Sequence, residues 1–331
     1  MKKVVLYGAG KICKDVLPII AKECDVVAII DKNTSLHGKN IYAIPIISLK
    51  EYIDRYFDYE MLITTNGKYV SQIEKDLEEN NITNYSVYSE KYNINEIDTR
   101  ERIISYSMPD QMEDVILYNV FKDEDNIFYI DVGSNDPLAD SVTKLLYDTK
   151  NARGINIEPQ KRLIDITNRE RPEDINICMG IGEKDGVADL YVQGDILCGI
   201  STVSIGNINK EFYKGKTTIN ITTLKKICDE YVKEKEISFL KVDVEGYERN
   251  VLLGADLSMY RPKVIVMEST LPMTDIPCYD QWEDILIDNK YHYVFSHGVN
   301  RYYVADEHSE FDERFIPVLE IMKKYRIFHI Q

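Results

Sequence analysis

The chain has 331 residues, 44% of them hydrophobic and 29% charged, with 16 glycines and 10 prolines. That composition excludes collagen-like, low-complexity and largely disordered classes, and the length leaves room for about two domains. With 40 basic against 56 acidic residues the formal net charge is −16, so neither nucleic acid nor an anionic membrane surface is an expected partner.

A small anionic ligand stays admissible, because backbone N–H groups bind phosphate locally. The apolar run behind Met1 breaks at Gly8 and Gly10 with no signal-peptide cleavage pattern. No uncharged stretch approaches the roughly 18 residues that insert across a bilayer. Cys13, Cys24, Cys178, Cys198, Cys228 and Cys278 are scattered without CxxC spacing, which reads as buried thiols in a reducing compartment. A cytoplasmic protein is expected.

In chain order, VVLYG is a short β-branched strand ending in glycine, and a helix is predicted from about Lys11 to Glu23. DVVAIID is the next strand and ends at Asp31; NTSLHGKN is a loop. SLKEYIDRYF reads as helix, MLITT as strand, KYVSQIEKDLEENN as helix and NYSVYS as a last strand. Alternating strands and helices imply a parallel sheet with right-handed crossovers, hence a small Rossmann-like domain over residues 1–92. Residues 93–126 read as a linker and an amphipathic lead-in helix, DQMEDVILYNVF.

The α/β pattern restarts over residues 127–331. IFYIDVGS is a strand, SVTKLLYD a helix, ARGINIEP a strand and RLIDITNRE a helix. INICMGIG and GVADLYV read as strands, TLKKICDEYVKE as helix, then FLKVDV and KVIVME as strands. YHYVFSHGVNRYYVADE reads as an antiparallel hairpin at the sheet edge. The fold class is therefore α/β with two Rossmann-like domains.

In a doubly wound sheet, ligands bind outside the carboxyl ends of the strands. Asp131 and Gly133 end one predicted strand and Glu158 ends the next. Glycine lets a ligand approach the backbone, and a carboxylate ending the second strand is placed to accept hydrogen bonds from two ribose hydroxyls. Asp243 and Glu245 follow a later strand, and Glu268 ends the one after. Carboxylates gathered at adjacent strand ends are costly unless they serve a cation or a proton transfer.

The ordered set DVGSNDP, DSVTK, RGINIEP, a TL-helix and FLKVDVEGYE followed by VLLGAD resembles the FkbM-type S-adenosylmethionine-dependent methyltransferases, over about Phe128 to Ser269. The resemblance implies a class I methyltransferase fold and methyl transfer, usually to an oxygen, on polyketides, sugars or surface glycans. Carried over, Asp131, Gly133, Ser134, Asn135, Ser141, Glu158 and Pro159 form the cofactor-binding set, and Asp243 and Glu245 face the reacting centre. Many class I enzymes have a further glycine where this chain has Asp136-Pro137, so the loop there is shaped differently. The expected reaction is O-methylation of a sugar or glycan precursor, with N-methylation as the other acceptor chemistry. Asp243 is the candidate base. A divalent metal on Asp243, Glu268 and His292 is a further option, and His297 is a lesser catalytic candidate.

The bland readings stand beside these. Asp243 can cap a helix, Glu248 and Arg249 can form an ordinary solvated face, and Tyr291, Tyr293, Tyr302 and Tyr303 can be packing. In the first half, YGAGKIC supplies Gly8, Gly10 and Lys11, with Asp31 in the ribose-binding position, as a second nucleotide site; Cys13 stands where a dinucleotide fingerprint has its third glycine. That domain resembles the small Rossmann-like modules ahead of sugar-modifying enzymes, where it holds a nucleotide-sugar or serves as scaffold. The alternatives are an NAD(P)-dependent oxidoreductase acting on a nucleotide-sugar, and a non-catalytic nucleotide-sugar-binding scaffold, which a turnover assay separates from an enzyme. A homo-oligomer is compatible with either.

Overall fold

Two units emerge in the computed structural model, which describes residues 1–65, 67–88, 98–193, 201–203 and 213–330. Met1–Ile103 and Ile316–Ile327 form the first; Ile104–Phe315 and Phe328–Gln331 form the second. Both are α/β. Among the described residues no helix is long and apolar enough to cross a membrane.

In chain order the first unit comprises β1 (Lys2–Tyr7), α1 (Lys11–Glu23), β2 (Cys24–Ile30), β3 (Asn40–Ile41), β4 (Ile44–Ile47), α2 (Leu49–Arg55), β5 (Glu60–Ile63), α3 (Gly67–Glu79) and β6 (Tyr85–Val87). Its sheet runs β3-β4-β2-β1-β5-β6, parallel except where β3 meets β4. Alternate residues of β1 point to opposite faces. Val4 and Leu6 pack with Cys13, Val16, Leu17 and Ile20 of α1; Val5 and Tyr7 pack with Tyr52, Ile73 and Leu77 of α2 and α3. The predicted loop NTSLHGKN contains a short turn and runs into β3, and β4 follows. Leu319, from a helix at Val318–Lys324, packs against the α1 face, so a segment read from sequence as part of the second half groups with the first unit. Several residues of the predicted linker, 93–97, lie outside the described residues.

The chain leaves this unit through β7 (Glu101–Ser105) and enters α4 (Glu113–Phe121). α4 has no solvated face: all its residues but Tyr118 are buried, Glu113 and Asp114 included. Asp114 is held there by Ser105 Oγ (2.9 Å) and by the Tyr106 N–H (2.6 Å).

Next come β8 (Phe128–Val132), α5 (Lys144–Lys150), β9 (Arg153–Ile157), α6 (Lys161–Glu170), β10 (Ile175–Ile177), β11 (Gly180–Ile181), β12 (Gly186–Gln193), β13 (Ser201–Thr202), β14 (Tyr213–Thr222), α7 (Leu224–Tyr231), β15 (Phe239–Val242), α8 (Glu248–Leu253), β16 (Val264–Glu268), α9 (Glu283–Asp288), β17 (Tyr291–His297) and β18 (Asn300–Ala305). The main sheet has the order β10-β9-β8-β15-β16-β18-β17. β10 to β16 run parallel, and β18 and β17 form the antiparallel edge hairpin. Strands β8, β15 and β16 are buried along their whole length, as parallel strands covered on both faces must be. The chain order reverses between β8 and β15, so the switch-point crevice opens at their carboxyl ends.

INICMGIG, read as one strand, splits: β10 belongs to the main sheet and β11 to a second sheet of order β11-β14-β12-β13. Leu190, Ile219 and Ile221 form that sheet's own small core. Of the cysteines, Cys13, Cys228 and Cys278 are buried, Cys24 is half-buried and Cys178 is exposed; Cys198 lies outside the described residues.

Candidate active site

At the switch point a cavity of about 770 Å³ is lined by Gly133, Asn135, Glu158, Pro159, Asp243 and Glu245, among others. β8 delivers Asp131 and Gly133. Gly133 has φ +81°, and a Cβ there would lie 1.8 Å from the Asp243 carbonyl oxygen. The glycine is therefore demanded by the close approach of two backbones as well as by its left-handed conformation. The turn is pinned by the Gly133 and Ser134 N–H groups, which donate to Ile157 O at 2.9 and 3.1 Å.

Glu158 follows β9 and is only 5% exposed. One carboxylate oxygen accepts from the Gln160 N–H (2.9 Å) and the other from the Asn135 N–H (3.3 Å). Burial pushes its pKa up to about 7, against the pull of those backbone donors.

β15 carries Lys241, 5% exposed inside an apolar strand. Its Nζ lies 3.2 Å from Asp243 Oδ2 and 3.8 Å from Asp131 Oδ1, and donates to Gly133 O at 3.3 Å. Burial opposes the charge on Lys241, but Asp243 and Asp131 outweigh it and hold the ammonium protonated. Asp131 is raised by its own burial, with Lys241 opposing. One ammonium thus serves the two strand-end carboxylates and ties β8 to β15.

After β15 the chain turns through Glu245 (φ 55°) and Gly246 (φ 94°). Glu248 is buried, not solvated, and accepts from the Gly246 N–H (3.0 Å) and the Val244 N–H (3.3 Å). Those bonds shape the turn that presents Glu245 beside Asp243. Burial, then Asp243 and Glu248, push the Glu245 pKa up to about 8. Glu268, ending β16, is raised well above its ordinary value by burial and then by Asp243.

Several expected site residues stand elsewhere. Asp131, Ser134 and Ser141 are not among the residues lining the cavity. Ser141 Oγ accepts from Arg171 Nη2 and its N–H donates to Tyr106 O at 3.1 Å, so it serves the loop. Arg171 also donates to Pro137 O (3.0 Å) and Thr143 Oγ1 (2.5 Å), while Asp136 Oδ1 accepts from the Leu138 and Ala139 N–H groups at 2.8 and 3.1 Å. This buried arginine and the aspartate turn shape the loop around Asp136-Pro137. His292 does not join Asp243 and Glu268: its ring nitrogens face Asp306 (2.9 Å) and Asp312 (3.0 Å). The carboxylate that joins them is Glu245. His297 is lowered by burial. Tyr291, Tyr302 and Tyr303 are buried packing residues, and Tyr293 is exposed.

In the first unit, Gly8 has φ +105°, and Asp31 accepts from the Ala9 N–H (2.7 Å) and the Asn33 N–H (2.8 Å). Gly10 precedes α1, whose first residue is the exposed Lys11. Sequence reading passed over Lys241, Glu113 and Arg171. A lysine inside FLKVDV is a charge in an otherwise apolar strand and is visible as such; Arg171, at a helix end, carries no such signal.

A glycine turn after the first strand, an acid after the second and carboxylates across the switch point thus meet at one cavity of an α/β unit. Residues 131–295 match the family model of the methyltransferase FkbM domain, and residues 1–88 match that of the C2185-like N-terminal domain. The protein is a methyltransferase whose second unit carries an FkbM domain. The chain is also similar to a solved structure, UDP-D-quinovosamine 4-dehydrogenase from Vibrio fischeri, at 21% identity, covering 28% of this chain and 88% of that one with a TM-score of 0.23. No curated protein matches.

Proposed function

We propose that the second unit takes S-adenosylmethionine as donor and methylates a hydroxyl oxygen of a sugar or glycan precursor, an amino nitrogen being the alternative acceptor atom. The observation that carries the donor assignment is Glu158. A carboxylate has about four lone-pair sites, and backbone N–H groups use one on each oxygen. The Gln160 side chain donates to the same carboxylate, and the acceptor site left open suits a ribose hydroxyl. The cavity volume of about 770 Å³ falls within the roughly 300–1,000 Å³ of small-molecule sites. Its walls hold Glu158, Asp243 and Glu245, and a positively charged ligand would favour the ionised form of the two raised glutamates.

Bound there beside Glu158, Asn135 and Gly133, the donor would supply a methyl group already activated on a sulfonium, with the neutral thioether as leaving group. The protein's part is alignment and proton management. Asp243, held by Lys241, receives the acceptor's hydroxyl proton and passes it to solvent. Glu245 and Asp140 add acceptors for further hydroxyls along the same wall, which supports a polyhydroxylated acceptor. Pro159 and Asn135 border the donor side with Gly133; Asp131 keeps Lys241 in place.

The test is a calorimetric titration of S-adenosylhomocysteine into the full chain, with transfer of labelled methyl to a panel of sugars and nucleotide-sugars. Micromolar binding is expected. Asp243→Asn should keep that binding and lose about 10²–10⁴-fold in turnover. Absence of binding sinks the reading.

A further inference from the structure

We infer that Asp243, Glu245 and Glu268 form a binding site for one divalent cation at the carboxyl ends of β15 and β16. Each residue offers an oxygen, and the three oxygens lie within 4.8 Å of one another. Oxygens on opposite sides of one Mg²⁺, Mn²⁺ or Ca²⁺ ion are about 4–5 Å apart, given bonds of about 2.0–2.6 Å. The set therefore fits around a single ion without rearrangement of the strands.

A second observation is independent of that clustering. Glu268 is 6% exposed, and its Oε2 has no hydrogen-bond partner among the described residues. The same holds for Glu245 Oε2. A buried carboxylate oxygen without a donor is costly, and here two such atoms belong to one cluster. Backbone donors account for the neighbouring Glu248, which accepts from Val244 and Gly246. Lys241 faces Asp243 at 3.2 Å but also Asp131 at 3.8 Å, so its single charge is shared. A divalent cation would supply what the two orphaned oxygens lack.

The donor set is all oxygen, which selects a hard cation over zinc or copper. Three protein ligands leave coordination positions open. Asp243 and Glu245 line the cavity, so oxygen ligands arriving there can complete the shell. If the proposed methyl transfer holds, an acceptor hydroxyl is such a ligand, and the ion would aid its deprotonation. Only this last role rests on the proposed function; the site itself does not.

The experiment titrates Mn²⁺ into the metal-stripped full chain, following free ion by electron paramagnetic resonance and heat by calorimetry, with S-adenosylhomocysteine binding measured in parallel. One ion per chain is expected, with affinity reduced at least about tenfold in Glu268→Gln. Donor-analogue binding should stay near wild type in that variant. Melting without metal checks that Glu268→Gln folds; if it does not, Glu245→Gln should likewise lose metal affinity at least about tenfold. No stoichiometric binding by the wild type, or unchanged affinity in a folded variant, overturns the site. Analogue binding without metal binding sinks this inference alone, whereas metal binding without analogue binding sinks the methyltransferase reading and leaves the site standing.

Discussion

The two units repeat one turn and use it differently. In each, a central strand ends in a glycine with positive φ, Gly8 or Gly133. In each, the next strand leads to an acid whose two oxygens accept two backbone N–H groups: Asp31 from Ala9 and Asn33, Glu158 from Asn135 and Gln160. What differs is the residue at the end of the strand on the other side. Thr64 closes over the first turn, its hydroxyl donating to Tyr7 O (3.2 Å) and Gly8 O (3.1 Å). The same place in the second unit holds Asp243, with Lys241, Glu245 and Glu268 about it. The glycine-and-acid turn is thus a way of joining strand to helix, and the charged groups of the second unit come with its neighbour across the switch point.

The largest effect should come from the glycines. A Cβ on Gly133 would lie 1.8 Å from Asp243 O, an unyielding backbone atom, whereas on Gly8 its nearest contacts are 3.3 Å away. Gly133→Ala should cost at least about 3 kcal/mol and Gly8→Ala about 1–2 kcal/mol. The single tryptophan, Trp282, is buried in the second unit, so its fluorescence during urea unfolding reports that unit. Gly133→Ala should move the tryptophan transition to lower urea. Gly8 lies in the first unit, so its variant is read by far-ultraviolet circular dichroism, which follows both units, and equal losses of stability for the two variants would erase the distinction between a turn packed against backbone and one with room.

This contrast also marks how far sequence reading reaches. Asp131, Gly133, Glu158 and Asp243 are legible because buried parallel strands are apolar runs, and whatever polar residue ends them stands at the crevice. Glu268 is legible on the same ground. Glu245 stands with them in the DVEG stretch, whereas the choice of His292 as a metal ligand fails, because Asp306 and Asp312 capture it from a stretch with no helical or strand periodicity. Glu245 enters because Glu248 folds the turn back, a contact made through backbone donors that no residue pattern announces. β14 is hard to see since its alternation is carried by only Ile219 and Ile221 among threonines and asparagine. The C-terminal helix at Val318–Lys324 looks like any amphipathic helix, and only its packing through Leu319 shows which unit it completes.

A smaller effect separates the two acids. Glu158→Gln removes a charged acceptor, and hydrogen bonds to charged groups are worth about 1.5–3 kcal/mol, so S-adenosylhomocysteine should bind roughly 10–100-fold more weakly. Asp31→Asn should leave that affinity within about twofold of wild type, since additivity holds for independent sites. The reverse pattern in calorimetry would move the donor to the first unit.

The smallest effect is a pH dependence of stability. Glu158 is raised from its ordinary 4.5 to about 7, with burial as the main cause. Below 4.5 the residue is protonated whether the chain is folded or not. Between 4.5 and about 7 the unfolded chain ionises while the folded one keeps the proton, so folding loses stability as pH rises through that window and levels off above it. Other buried acids of this unit add their own slopes, so the informative quantity is the difference between wild type and Glu158→Gln, read from Trp282 fluorescence in urea at a series of pH values. That difference should change between about pH 4.5 and 7, wild type losing ground to the variant as pH rises, and stay flat on either side. A flat difference throughout would mean that Glu158 ionises as freely folded as unfolded, and that its backbone donors, not its burial, set its charge.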